Sequence, residues 1–155
     1  MINKVDLFFE NAELISEKLG IVPLLYGSLG LEYLTGYNLN ADDIDILIPK
    51  IYVREKWPIF KSLLEENGYV LIDENEHEFV KYNICYAFSY IEDLQPFAGI
   101  CIDEIPVLSK NNVQFRLLSL TQYLKVYTAS SKDGYRINTR EKKDIEKISF
   151  IKNLL

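Results

Sequence analysis

Apolar residues recur at helical spacing from residue 5 to residue 19, at Val5, Phe8, Phe9, Ala12, Ile15 and Leu19. Gly20 follows where a left-handed cap would end that helix. The pattern then changes. Ile21-Val22-Pro23-Leu24-Leu25-Tyr26 is a continuous apolar run and reads as a buried strand. Gly27-Ser28 opens a short helix over about 28–35, carrying Leu29, Leu31 and Leu34. The turn-rich stretch Thr35-Gly36-Tyr37-Asn38-Leu39-Asn40 leads into a second strand, Asp43-Ile44-Asp45-Ile46-Leu47-Ile48-Pro49. Residues 52–66 form an amphipathic helix that starts there or as late as Pro58, since proline is tolerated in a first turn. Asn67-Gly68 stops it.

The middle of the chain reads as strands over about 69–73, 78–82, 84–90, 98–108 and 113–117. Ser119-Leu120-Thr121-Gln122 fits a capping box before a helix that carries Tyr123, Leu124 and Tyr127. Asn138 or Thr139 caps a last helix, with Ile145, Ile148, Ile151 and Leu155 as its apolar stripe. Ser130-Ser131-Lys132-Asp133-Gly134 is the segment best suited to a flexible loop. A strand–helix–strand start followed by antiparallel strands and helices predicts an α/β (α+β) fold with a mixed β-sheet flanked by helices. We expect a single domain over 1–155, with a core of about 1–118 and C-terminal helices over about 119–155.

Composition narrows the partners. The 155 residues are 48% hydrophobic, enough to build one core. A net charge of −6 argues against broad nucleic-acid binding, which needs a basic footprint, although it leaves room for a local basic pocket. Cys85, Cys101 and His77 offer no zinc-like spacing. No apolar stretch approaches the roughly 18 residues of a membrane span, and the first residues do not read as a signal peptide. The expected setting is therefore the reducing cytoplasm.

The chemistry concentrates in two places. A strand repeats every two residues, so Asp43 and Asp45 point to one face. Two carboxylates on one face of an apolar strand repel each other, and a divalent cation removes the conflict. Oxygen ligands of this kind suit Mg²⁺. Gly27 lets the backbone of a strand-to-helix turn approach a phosphate, with Ser28 beside it. Taken singly, Gly27-Ser28 is also an ordinary turn with Ser28 as helix cap, and the two acids are also an ordinary solvated strand end. In this order and near this spacing they point to phosphate plus metal, hence nucleotide chemistry.

The pattern of hydrophobic strand, Gly27-Ser28, short helix and Asp43-Ile44-Asp45-Ile46 resembles the nucleotidyltransferase superfamily, which includes DNA polymerase β, antibiotic nucleotidyltransferases and minimal nucleotidyltransferases of toxin–antitoxin systems. The resemblance is sharp over residues 21–49, although the gap between Ser28 and Asp43 is slightly longer than usual. It implies a metal-dependent transfer of an NMP group from an NTP to an acceptor hydroxyl, with release of pyrophosphate. Asp43 and Asp45 would hold Mg²⁺, and Gly27 and Ser28 would hold phosphates. Arg140-Glu141-Lys142-Lys143-Asp144 resembles the Lys-Asp helix start of several small families, which implies Lys143 on the triphosphate with Asp144 holding it by local pairing. The plainer reading of those cations is an exposed helix face.

The superfamily normally adds a third carboxylate from a neighbouring strand. Glu78, Glu92, Asp93, Asp103 and Glu104 are the candidates, and none sits in a distinctive motif. A domain without that acid would instead bind nucleotide as a sensor or serve as a toxin–antitoxin partner. Tyr26, Tyr33 and Tyr37 flank the glycine turn and either stack on a base or belong to the core. The acceptor stays open between a small molecule such as an antibiotic, a tRNA end and a protein hydroxyl, with the acidic balance weighing against tRNA.

Overall fold

The computed structural model describes residues 3–132 and 137–155, with side chains in the last helix described from Lys143 onward. Arg140 and Lys142 lie outside the described side chains, and Asn138 and Thr139, expected as caps, fall inside the last helix, which is already running at Ile137. The chain divides into two compact units. Met1–Glu92 with Val107–Leu117 forms the first, and Asp93–Pro106 with Leu118–Leu155 forms the second.

The first unit is built on one mixed sheet. Helix α1 (Lys4–Leu19) is started by Asn3, whose side chain accepts from the N–H groups of Val5 and Asp6, and is closed by Gly20 at φ 68°. Strand β1 (Leu24–Tyr26) leads directly into α2 (Gly27–Thr35). Then come β2 (Ile44–Ile48), a 3₁₀ turn, α3 (Trp57–Glu66), β3 (Val70–Asp73), β4 (Glu78–Lys81) and β5 (Ile84–Tyr90). The hairpin of β6 (Val107–Lys110) and β7 (Val113–Leu117) returns to the same sheet. Among the described residues the sheet has seven strands in the order β3-β4-β5-β2-β1-β7-β6. β2 runs parallel to β5, and β1 parallel to β7, while the other neighbours are antiparallel.

Alternation along the strands fixes which face is buried. Ile44, Ile46 and Ile48 of β2, Tyr86 and Phe88 of β5, Phe79 of β4 and Phe115 of β7 are buried with Phe8, Ala12 and Ile15 of α1 and Phe60 and Leu64 of α3. The residues between them face the other way, and that face carries the candidate site. Tyr33 joins an aromatic cluster, with its ring 5.9 Å from both Phe9 and Phe115. It is a core residue, not a stacking platform for a base.

The second unit contains α4 (Leu94–Ala98), α5 (Leu120–Lys132) and α6 (Ile137–Leu154). The capping box of α5 forms in both directions: Ser119 N–H donates to Gln122 Oε1 at 2.9 Å, and Gln122 N–H donates to Ser119 Oγ at 3.2 Å. Residues 98–108 are not the expected strand. Gly99, at φ 68°, closes α4, and Cys101 N–H donates to Glu104 Oε1 at the start of a 3₁₀ turn over Ile102–Glu104. A left-handed glycine and a local capping interaction break the extended run, so the strand begins only at Val107. The proposed loop at 130–134 starts inside α5, which runs to Lys132. No helix among the described residues is long and apolar enough to cross a membrane.

Candidate active site

The junction of β1 and α2 is tighter than a simple helix start. Tyr26, in extended backbone, is the N-cap and offers no side-chain cap. Gly27 is the first helical residue, at φ 65°, so Ser28 lies inside the first turn and is not the cap. In the ladder of β1 with β2, Tyr26 stands opposite Asp45. That register sets the Asp45 carboxylate against the Gly27 backbone. A Cβ built on Gly27 would overlap Asp45 Oδ2 and lie 3.1 Å from its Cγ. Glycine is therefore required twice here, for its left-handed φ and for the space its missing side chain leaves to the carboxylate.

Asp43 is exposed, in the bend just before β2, and Asp45 is half-buried in the strand. Both act on the same neighbour. The Cys85 thiol is pushed up to about 11, chiefly by burial and then by the charges of Asp43, Glu78 and Asp45. At neutral pH it is a protonated donor, and its S–H points at Glu78 Oε2 across 3.8 Å. Cys85 thus reports an acidic pocket formed from three strands. Asp42 is exposed in the preceding loop.

The remaining acids separate cleanly. Asp45 pairs with Ala87 of β5, and Ala87 pairs with Glu78 of β4. Residues directly opposite one another share a face, so Asp45, Ala87 and Glu78 form one row across three strands. Glu92 sits beyond the far end of β2, where both its oxygens accept from Lys50 N–H at 3.0 and 3.1 Å. Asp93, Asp103 and Glu104 belong to the second unit, with Asp93 at the start of α4 and Glu104 occupied by the Cys101 N–H. Cys85, Ala87 and Ser89 are the β5 residues on the site face, and none is an acid. Neither Cys85 nor Ala87 stood out in the sequence, because only the pairing register brings them beside Asp45.

In the second unit Lys143 is exposed on α6. Asp144 is buried there and accepts a 2.8 Å hydrogen bond from Ser130 Oγ of α5. Asp144 therefore serves the packing of α5 on α6, not the local pairing with Lys143 that the sequence suggested. Among the described residues no three His, Cys, Asp or Glu side chains converge as a metal-holding group. Asp43 and Asp45 nevertheless supply the hard oxygen donors that suit Mg²⁺, an ion usually held by one or two carboxylates together with substrate phosphates. The missing side chain of Gly27, which lets the start of α2 sit directly against the Asp45 carboxylate, fits that arrangement.

No protein-family model matches this chain. It is 42% identical over 148 residues to YnaI, an uncharacterised protein of Bacillus subtilis (strain 168), covering 96% of this chain and 95% of that one. Two solved structures share the architecture. One is an antigenic nucleotidyltransferase-like protein from Paracoccidioides brasiliensis, with a TM-score of 0.60 and 16% identity, covering 94% of this chain and 73% of that chain. The other is the lincosamide antibiotic adenylyltransferase LnuA in its lincomycin-bound form, with a TM-score of 0.56 and 17% identity, covering 97% and 98%. At these identities the likeness shows a nucleotidyltransferase-like fold.

Proposed function

Because the chain belongs to the same family as YnaI and carries a nucleotidyltransferase-like fold, we propose that it is a metal-dependent nucleotidyltransferase. It moves an NMP group from an NTP to an acceptor hydroxyl and releases pyrophosphate. The observation that supports this most is the apposition of Gly27 and Asp45, in which a helix start suited to phosphate abuts a carboxylate suited to a metal.

The N–H groups of the first turn of α2 and the Ser28 hydroxyl bind the outer phosphates, at the positive end of the helix. Asp43 and Asp45 would hold Mg²⁺. When bound, the ion neutralises phosphate charge and polarises the α-phosphoryl group. The buried isoleucines of β2 fix the strand that carries both aspartates, so the protein contributes mostly position and charge. The lincomycin-bound state of LnuA favours a small-molecule acceptor for this chain too.

One observation favours a second reading, nucleotide binding without transfer: the site face of β5 presents Cys85, Ala87 and Ser89 and no carboxylate. Calorimetry with each of the four common NTPs and Mg²⁺, run beside a pyrophosphate-release assay, separates the two. Metal-dependent binding with turnover supports transfer. Binding without turnover supports the second reading, and no metal-dependent binding removes both.

A further inference from the structure

We infer that Asn11, Tyr69 and Tyr86 together hold one internal water molecule on the buried face of the sheet. Asn11 lies on the face of α1 that carries Phe8, Ala12 and Ile15, and it is fully buried with them. Tyr86 of β5 is fully buried as well, and Tyr69, just before β3, is 2% exposed. Neither polar atom of the Asn11 amide has a hydrogen-bond partner in the protein, and neither has the hydroxyl of Tyr69 or of Tyr86. A buried amide or hydroxyl without a partner bears the full desolvation cost of leaving water, and native folds leave few of them. Three such side chains in one place point to a ligand that satisfies all of them.

The three groups converge. The Tyr69 and Tyr86 rings meet edge to face, with centroids 5.1 Å apart. Burial raises both phenols above the usual tyrosine range, and both also feel the carboxylate of Glu10, the residue before Asn11 on α1. Asn11 opposes the rise at Tyr69, so its amide faces that hydroxyl, yet the two make no direct bond. A separation just beyond direct contact is the spacing that a bridging water fills. Water brings two donors and two acceptors, so it meets the amide and both hydroxyls whichever way their hydrogens point, and buried waters commonly make about three such bonds. Lys81 does not serve instead. Its Nζ lies 4.6 Å from the centroid of the Tyr69 ring and donates outward, to Glu10 Oε1 at 3.1 Å and to the Asn67 carbonyl at 2.9 Å. With the three side chains at 0–2% exposure, nothing larger than water reaches them. Tyr86 pairs with Ile44, which stands between Asp43 and Asp45. The water therefore ties α1 to the strand pair β2–β5 from the face opposite the aspartates.

The test uses the full chain, with water itself as the probe. A high-resolution crystal structure of the wild-type chain should show one ordered water within about 2.6–3.2 Å of the Asn11 amide and of both tyrosine hydroxyls. In solution, magnetic relaxation dispersion of the water signal counts molecules held for longer than the protein tumbles. Asn11→Leu should lose one of them, and so should the double variant Tyr69→Phe/Tyr86→Phe, which keeps both rings and removes only the hydroxyls. Where Asn11→Leu fails to fold, the phenylalanine variant and the wild-type crystal structure carry the test. A crystal structure in which the Asn11 amide bonds directly to a tyrosine hydroxyl with no water between them would overturn the inference. An unchanged count of long-lived waters in the phenylalanine variant would overturn it equally.

Discussion

Gly27 and Asp45 occupy adjoining space, one at a helix start and one in the neighbouring strand, such that a methyl group on Gly27 would overlap Asp45 Oδ2. Gly27→Ala should destabilise the chain by about 2–4 kcal/mol, from left-handed strain together with the clash. In an Asp45→Ala background the clash disappears and only the backbone penalty remains, about 1–2 kcal/mol. Denaturant unfolding of the two single variants and the double variant measures this coupling. Strictly additive losses would show that the two residues do not compete for the same space.

Asp45→Asn should abolish Mg²⁺-dependent NTP binding and leave the fold intact. The substitution removes one of three anions gathered around Cys85, so it relieves repulsion instead of creating a void. Calorimetry and a thermal melt check the two halves separately. Unchanged nucleotide affinity, or a melting temperature lowered by more than about 5 °C, which is over 1 kcal/mol for a chain of this size, would count against the assignment.

The sequence made the local pieces visible and hid the arrangement between them. β5 over 84–90 and β7 over 113–117 are where the apolar alternation places them, and the Ser119–Gln122 box forms as its spacing implies. Each of these depends on neighbours within a few residues. Residues 98–108 misled because apolar content alone does not separate a strand from a short helix followed by a 3₁₀ turn. The relation of Asp45 to Glu78 was hidden for another reason. It depends on a sheet order in which β2 lies between β5 and β1, and on two registers that no local pattern encodes. Likewise Asp144 read as a surface partner for Lys143 because its partner, Ser130, belongs to another helix.

The two cysteines should differ in reactivity. Burial and three nearby carboxylates raise the Cys85 thiol to about 11. With no metal added, its thiolate fraction at pH 8 is on the order of one in a thousand, and its alkylation should quicken about tenfold per pH unit up to about pH 10. Cys101 is exposed and should label first. Asp43→Asn removes an anion that disfavours the thiolate, so it should lower the Cys85 value and speed labelling at fixed pH. Peptide mass spectrometry after timed iodoacetamide treatment reads both sites. An Asp43→Asn chain that labels no faster at Cys85 would place Asp43 away from this pocket.

Ser130→Ala should cost about 1.5–3 kcal/mol, since it removes a hydrogen bond to a buried carboxylate and leaves that carboxylate short of a donor. Asp144→Asn keeps an acceptor toward Ser130 and should cost less. Chemical denaturation ranks the two. Equal, negligible losses would mean that solvent or another donor replaces the hydroxyl and that the pair does not tie α5 to α6.

The sequence resemblance also implies Lys143 on the outer phosphates, and its ligand preference is what tests that expectation. Its side chain is exposed on α6, and the carboxylate that follows it in sequence is turned inward onto Ser130. Asp144 is thus occupied by packing, and the Lys143 charge is left for a ligand or for solvent. If it meets the outer phosphates, Lys143→Ala should weaken ATP binding by about 1 kcal/mol, or roughly fivefold, and the loss should shrink as salt is raised. AMP lacks those phosphates and should bind the variant as it binds the wild-type chain. Titrations of both nucleotides at two ionic strengths decide the matter. Equal losses for ATP and AMP, or no loss for either, would return Lys143 to the solvated surface of α6.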